Sequence, residues 1–229
     1  RSYVYDSENR VSQTVSGRPI FYGINGERIY DGQSWHYYGP DGSHLASFSY
    51  AGFVDDVQFA GQPVYQTGSA VVTDRLGSVV QKLTGTGAKD FVYLPYGETA
   101  TSFHDPTNFP SATSQYTAFG TYVRDGTTYP TGTGLDYARH RYYDPARGRF
   151  TTADPAMGGA LKDPLSWNKY AYAGGDPINK LDPPGTCYMW VIDPEGGADM
   201  CLSVGGGGYA PPRQMQRLDP PDCNPTGDP

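Results

Sequence analysis

Asp–Pro steps punctuate this chain, at Asp105, Asp144, Asp154, Asp163, Asp176 and Asp182 among others. A carboxylate in such a step can do two kinds of work. Beside a second carboxylate it can share a proton and serve general acid–base chemistry. Before proline it can cap backbone N–H groups and start a turn, and the spacing taken alone favours turns. Arg139, Arg141, Arg147 and Arg149 are interleaved with Tyr142 and Tyr143, a pattern able to stack on single strands. Pairing with neighbouring aspartates is the stronger reading. The formal net charge of −7 offers no clustered positive field against phosphates, so no nucleic-acid partner is expected. His36, His44, His104 and His140 lie far apart among turn and aromatic residues, where surface or packing roles are the default. Cys187, Cys201 and Cys223 match no zinc spacing and no histidine follows His140, so neither a metal nor a cofactor is expected. Cys187 and Cys201 are the disulfide candidates in an oxidising compartment, and the odd count leaves one thiol over. Trp35 with Tyr37 and Tyr38 offers aromatic faces to a carbohydrate ring, although hairpin packing accounts for the same residues.

The elements that must position these groups are strands. With 30 Gly, 20 Pro and 20 Tyr in 229 residues, and no long apolar period of 3.6, the chain reads as all-β with many tight turns. Three segments align: Tyr5 to Val11, Tyr22 to Ile29 and Tyr38 to Leu45. Each runs from an aromatic through a small polar cluster to an aliphatic. Their turn positions Asn9, Gly26 and Gly42 are 17 and 16 residues apart, and Thr73 to Val79 and Tyr93 to Glu98 repeat the pattern later. Asn-Gly and Asp-Gly steps suit two-residue hairpin turns, so each unit is predicted to be a β-hairpin that stacks on its neighbours. Asp163 to Lys169 is predicted to be the one short helix, with Asp163 as cap, Pro164 at its first position and Trp167 packed inward. No apolar run reaches the roughly 18 residues of a membrane helix. No signal peptide is visible and the chain opens at Arg1, which reads as a piece of a longer polypeptide.

Tyr3-x-Tyr5-Asp6-x-x-Asn9-Arg10 resembles the YD repeat of RHS proteins. Thr133 to Pro145, Gly148 to Pro155, Asn168 to Tyr172, Asp176-Pro177 and Asp182 to Gly185 are similar, in order, to the RHS-associated core. The resemblance implies a hairpin spiral that forms a hollow shell, closed by the core as a plug. In toxin members of the family a variable C-terminal effector lies inside and is released by self-cleavage. The resemblance places that chemistry on Asp154 and Asp182 as an aspartic pair and on Arg141 as their support. Such a pair shares one proton, one carboxylate activating water while the other protonates the scissile carbonyl. The implied cleavage site follows Thr186, where cleaving relatives carry Leu. A polar residue suits such a pocket poorly, which points to slow cleavage or none.

The expected organisation is a YD-repeat hairpin region at 1–132, an RHS-associated core at 133–186 and a short variable tail at 187–229. The tail holds no nucleophile–histidine pairing, and Gly205 to Gly208 lacks the Lys-Ser/Thr of a phosphate loop. The leading function is a structural, extracellular or cell-surface scaffold segment with a vestigial aspartyl autoprotease site. Two alternatives stand beside it: a self-cleaving toxin cocoon, and a filament subunit that adds copies through open sheet edges. The partners expected are the upstream part of the same polypeptide and other copies of the chain.

Overall fold

Four segments close on one and the same turn. Asp6 donates its N–H to Arg10 O and Asn9 donates back to Asp6 O. Gly23 with Glu27 and Gly26, Asp74 with Ser78 and Gly77, and Leu94 with Glu98 and Gly97 repeat both bonds. The fourth residue always has positive φ, from 61° at Asn9 to 86° at Gly97. These are three-residue loops, a type I turn followed by a left-handed residue, rather than the two-residue turns expected from sequence. Both loop types call for Gly or Asn, so the tips at Asn9 and Gly26 fall at the expected positions while the loop type differs, and the expected tip at Gly42 lies outside the described residues. Asp6 and Asp74 brace their turns, each Oδ1 accepting two backbone N–H groups.

The computed structural model describes residues 3–13, 17–40, 44–50, 52–59, 62–66, 68–100, 116–125, 134–155, 167–186 and 189–190. Within them the protein is all-β and antiparallel, with no closed barrel and only single 3-10 turns such as Phe119–Thr121 and Ala173–Gly175. Strands β1 (Val4–Tyr5) and β2 (Val11–Gln13) form a hairpin. A nine-stranded meander follows: β3 (Phe21–Tyr22), β4 (Arg28–Tyr30), β5 (Ser34–Tyr38), β6 (His44–Ser49), β7 (Gly52–Phe59), β8 (Gln62–Gln66), β9 (Ser69–Thr73), β10 (Val79–Thr84) and β11 (Gly87–Asp90). A five-stranded sheet comprises β12 (Tyr116–Thr117), β13 (Val123–Arg124), β14 (Asp136–Ala138), β15 (Arg141–Asp144) and β16 (Arg149–Phe150). Finally β17 (Lys180–Leu181) pairs with β18 (Met189–Trp190). Strands β12 and β13 precede residue 133 yet pair into the sheet that carries the core motif.

That five-stranded sheet is buried on both faces, which explains its unbroken Tyr-rich strands. Leu135, Tyr137 and Tyr142 pack on Val11 and Ile20 of the N-terminal hairpins. On the other face Tyr143 and Phe150 meet Phe119, Tyr122 and Tyr172. Tyrosine suits such a core because its ring is apolar while its hydroxyl can close a backbone bond. Tyr143 donates to Tyr96 O, Tyr22 to Val11 O and Tyr93 to Val79 O. Arg124 clamps Asp136 with two bonds and also reaches Gly97 O and Thr99 Oγ1. Trp167 is 56% exposed, so the expected inward packing does not occur; the start of its predicted helix lies outside the described residues.

Candidate functional site

Arg141 opens β15, two residues after the left-handed Arg139, and pairs across to Ala138. Its guanidinium lies flat against Phe150 on the next strand, 3.6 Å from the ring centroid. The ring fixes its plane, and four acceptors use its edge. Nη2 meets Asp154 Oδ2 at 3.0 Å and Asp182 Oδ2 at 3.4 Å. Nη1 donates to Lys169 O, and Nε donates to Gly185 O. The two aspartates, 28 residues apart in sequence, therefore converge on one nitrogen atom. All three residues singled out from the sequence come together.

The carboxylates sit in different surroundings. Asp182 is buried, and its own carbonyl accepts a bond from the Tyr122 hydroxyl. Burial beside Asp182 holds the Tyr122 hydroxyl well above the usual phenol range. Asp154 stays partly open to solvent, with its N–H bonded to Lys169 O. The Arg141 charge offsets the cost of placing two carboxylates together.

The chain then runs from Asp182 straight toward the expected cleavage position. Gly185 donates to Asp182 O, and Pro184 O accepts from His140 N. Gly185 has φ +75°, and a Cβ there would stand 2.6 Å from Ala138 O, so only glycine fits. Thr186 follows, with its Oγ1 buried and without a hydrogen-bond partner among the described residues. Sequence reasoning missed Tyr122, Phe150 and Lys169 as parts of this cluster. Lys169 and Phe150 lie within the quoted motifs, whereas nothing in the sequence marked Tyr122.

The remaining candidates fall elsewhere. Arg147 pairs with Asp144, as Arg141 does with Asp154 and Asp182, in line with the paired-arginine reading, whereas Arg149 stacks over Tyr170 instead. Trp35 and Tyr37 are exposed, while Tyr38 is turned to Arg28 O on the other face of β5. Cys187, Cys201 and Cys223 lie outside the described residues, as does His104. Among the described residues no cluster of His, Cys, Asp and Glu could hold a metal ion. Nor is any described helix long and apolar enough to cross a membrane.

No family model matches the chain. It is 28% identical over 195 residues to the tRNA nuclease WapA of Bacillus subtilis (strain 168), covering 83% of this chain and 8% of that protein. It is 27% identical over 207 residues to the tRNA3(Ser)-specific nuclease WapA of Bacillus spizizenii, with the same coverage. A shorter match, 42% over 66 residues, links 28% of the chain to a quarter of YlbH of Escherichia coli (strain K12). In fold, 80% of the chain superposes on 10% of the solved TcdB2-TccC3-TEV chain, with a TM-score of 0.52 and 21% identity. The chain thus spans a tenth or less of the WapA proteins and of that solved chain. Together these likenesses support an RHS-type relation for this all-β chain.

Proposed function

We propose that this chain is the closing segment of an RHS-type shell, an extracellular or cell-surface scaffold in a toxin-associated setting. In this reading Arg141, Asp154 and Asp182 form a self-cleavage centre directed at the Thr186–Cys187 bond. One observation carries it: both carboxylates contact Arg141 Nη2, while Nε of the same guanidinium grips Gly185 O, one residue short of that bond. Asp154, the more open carboxylate, would take a proton from water. Asp182, the buried one, would carry the proton delivered to the departing Cys187 amine. A C–O bond forms at the Thr186 carbonyl carbon as its C–N bond breaks. The unpartnered Thr186 hydroxyl supports the expectation that turnover is slow. The hairpin region 1–132 and the core 133–186 act as one scaffold here, since β12 and β13 complete the core's sheet.

Intact mass after prolonged incubation tests this reading. The Thr186→Leu chain should lose everything beyond residue 186 faster than the native chain, and Thr186→Leu/Asp154→Asn should stay whole. Survival of Thr186→Leu at full length would leave the cluster as a structural plug. Self-assembly into filaments has weaker support. The edges of the nine-stranded sheet are β3, two residues long, and β11, which carries Lys89 and Asp90. Short, charged edges discourage strand addition.

A further inference from the structure

Away from the core, four side chains on the inner face of the nine-stranded sheet form an unbroken line. Asp31 Oδ2 lies 2.7 Å from His36 Nε2. His36 Nδ1 lies 3.1 Å from His44 Nε2, and His44 Nδ1 lies 2.7 Å from Asp56 Oδ2. Asp31 and His36 side chains are each 2% exposed, and those of His44 and Asp56 about a tenth. Asp31 sits between β4 and β5, His36 on β5, His44 on β6 and Asp56 on β7. The line therefore runs from the β4–β5 turn across the β5–β6 and β6–β7 junctions.

Counting protons defines its states. Each gap lies between two atoms that can both accept, so each hydrogen bond needs one proton, three in all. Two neutral imidazoles supply two. The complete line therefore holds one extra proton on the imidazole pair, facing two carboxylates. On the imidazole pair a fourth proton can enter only the His36–His44 gap, where it sets N–H against N–H and cation against cation.

We propose that Asp31, His36, His44 and Asp56 form a proton latch. With one positive charge on the histidine pair the line fastens the β4–β5 turn, β5, β6 and β7; a second proton breaks its central bond and releases β5 from β6. The surroundings favour the singly charged state. Burial pushes the His36 imidazole down to about 4, against the pull of Asp31, with Arg28 and His44 adding to the fall. Burial opposes ionisation of Asp31, yet the His36 bond, Arg28 and the Ser34 N–H hold it down at about 2. Asp31 Oδ1 is occupied by the N–H groups of Gln33 and Ser34, so Oδ2 is left for His36. From the other elements, the Tyr38 ring packs at 5.4 Å on His44, Gln58 reaches His44 O, and Lys82 on β10 faces Asp56. None of these supplies an alternative acceptor for the fourth proton.

The sign follows from linkage. The closed sheet takes the second proton only near pH 4, whereas an opened sheet takes it near the ordinary value of about 6.5. Opening therefore absorbs one proton between those limits, and the latch weakens about tenfold per pH unit as pH falls through that window. Above it the second proton is absent from the closed and the opened sheet alike, so this penalty no longer weakens the latch. This inference does not depend on the self-cleavage reading.

The full-length chain, labelled with nitrogen-15, supplies the test, with its ring nitrogens followed from about pH 7.5 to about pH 3.5. His36→Gln and His44→Gln serve for assignment, and amide exchange is followed at β5 and β6. The expected record is a His36 ring that takes its proton only near pH 4. Protection at β5 and β6 should fall about tenfold per unit across the window, a slope that His36→Gln abolishes. Two cationic histidines above about pH 5 with the amides still protected would overturn the latch. So would an unchanged acid slope in His36→Gln. Should that variant not fold, the native ring-nitrogen titration decides alone. The β5 and β6 amides separate this event from His140, on the other sheet, which burial and then Arg139 and Arg141 also lower to about 4.

Discussion

Truncating Arg141 to alanine would leave Asp182 buried and set against Asp154 with no cation between them. Removing one partner from a buried ionic cluster costs about 3–5 kcal/mol, so Arg141→Ala should unfold at markedly lower denaturant. Arg141→Lys should recover only part, because a point charge cannot hold two carboxylates and two carbonyls from one flat edge. Thr186 supplies a prediction of opposite sign. Its buried Oγ1 has no partner, and removing an unpaired hydroxyl while keeping the shape relieves about 1–2 kcal/mol. Thr186→Val should thus raise the urea midpoint with an unchanged slope; a lowered midpoint would mean that the hydroxyl is bonded after all. The residues of this cluster were legible from motif order and not from their own chemistry. An Asp before Pro looks the same whether it caps a turn, as Asp144 does for Arg147 N, or points at Arg141, as Asp182 does. The difference lies in which strands meet, a property of the closed fold.

At the scale of elements the recurring turn was the most legible feature, because its left-handed residue restricts the sequence to Gly or Asn. The turns are not equivalent in their surroundings. At Gly97 φ is +86°, and an added Cβ would stand 2.5 Å from the Phe119 ring, deep in the core cluster. Gly97→Ala combines backbone strain with overpacking and should cost about 3 kcal/mol in thermal or denaturant melts. At Asp74 the loss is of another kind: Asp74→Ala strips acceptors from the Leu76 and Ser78 N–H groups, for about 1–2 kcal/mol. Asp74→Asn, which keeps an oxygen in place, should lose much less. Spacing could not foretell the histidine line. His36 and His44 are eight residues apart on two strands, and a register shift between Tyr37 and Tyr38 sets His44 against Tyr38 in the pairing. A regular alternation read from sequence cannot anticipate such a shift.

At the scale of the whole molecule the question is what joins the meander to the core sheet, and a single arginine does much of it. Arg28 on β4 takes Tyr137 Oη with its backbone N–H at 2.6 Å. Its Nη1 reaches Asp125 at 2.8 Å and Tyr142 Oη at 2.7 Å, and its guanidinium covers the Tyr137 ring at 4.4 Å. None of this was visible in the sequence, where Arg28 and Asp125 stand 97 residues apart in unremarkable turn-rich stretches. The same arginine is incompletely served: Nε and Nη2 are buried with no hydrogen-bond partner among the described residues. Two consequences follow, and they pull in opposite directions. Arg28→Ala takes the guanidinium from Asp125, whose side chain is 6% exposed, and should cost about 3–5 kcal/mol. Replacing both partners, as in Arg28→Met/Asp125→Leu, removes the buried carboxylate and the two idle nitrogens together. Buried ion pairs exchanged for apolar groups of similar volume are often neutral or stabilising. Calorimetry should therefore show a large drop for the single variant and recovery to native stability or above for the double. If the double variant stayed as unstable as Arg28→Ala, the tether would owe its strength to the ion pair itself. Recovery would mean that the pair chiefly sets how the two sheets align, leaving contacts such as those of Tyr22 on β3 with the Leu135, Tyr137 and Tyr142 cluster to hold them together.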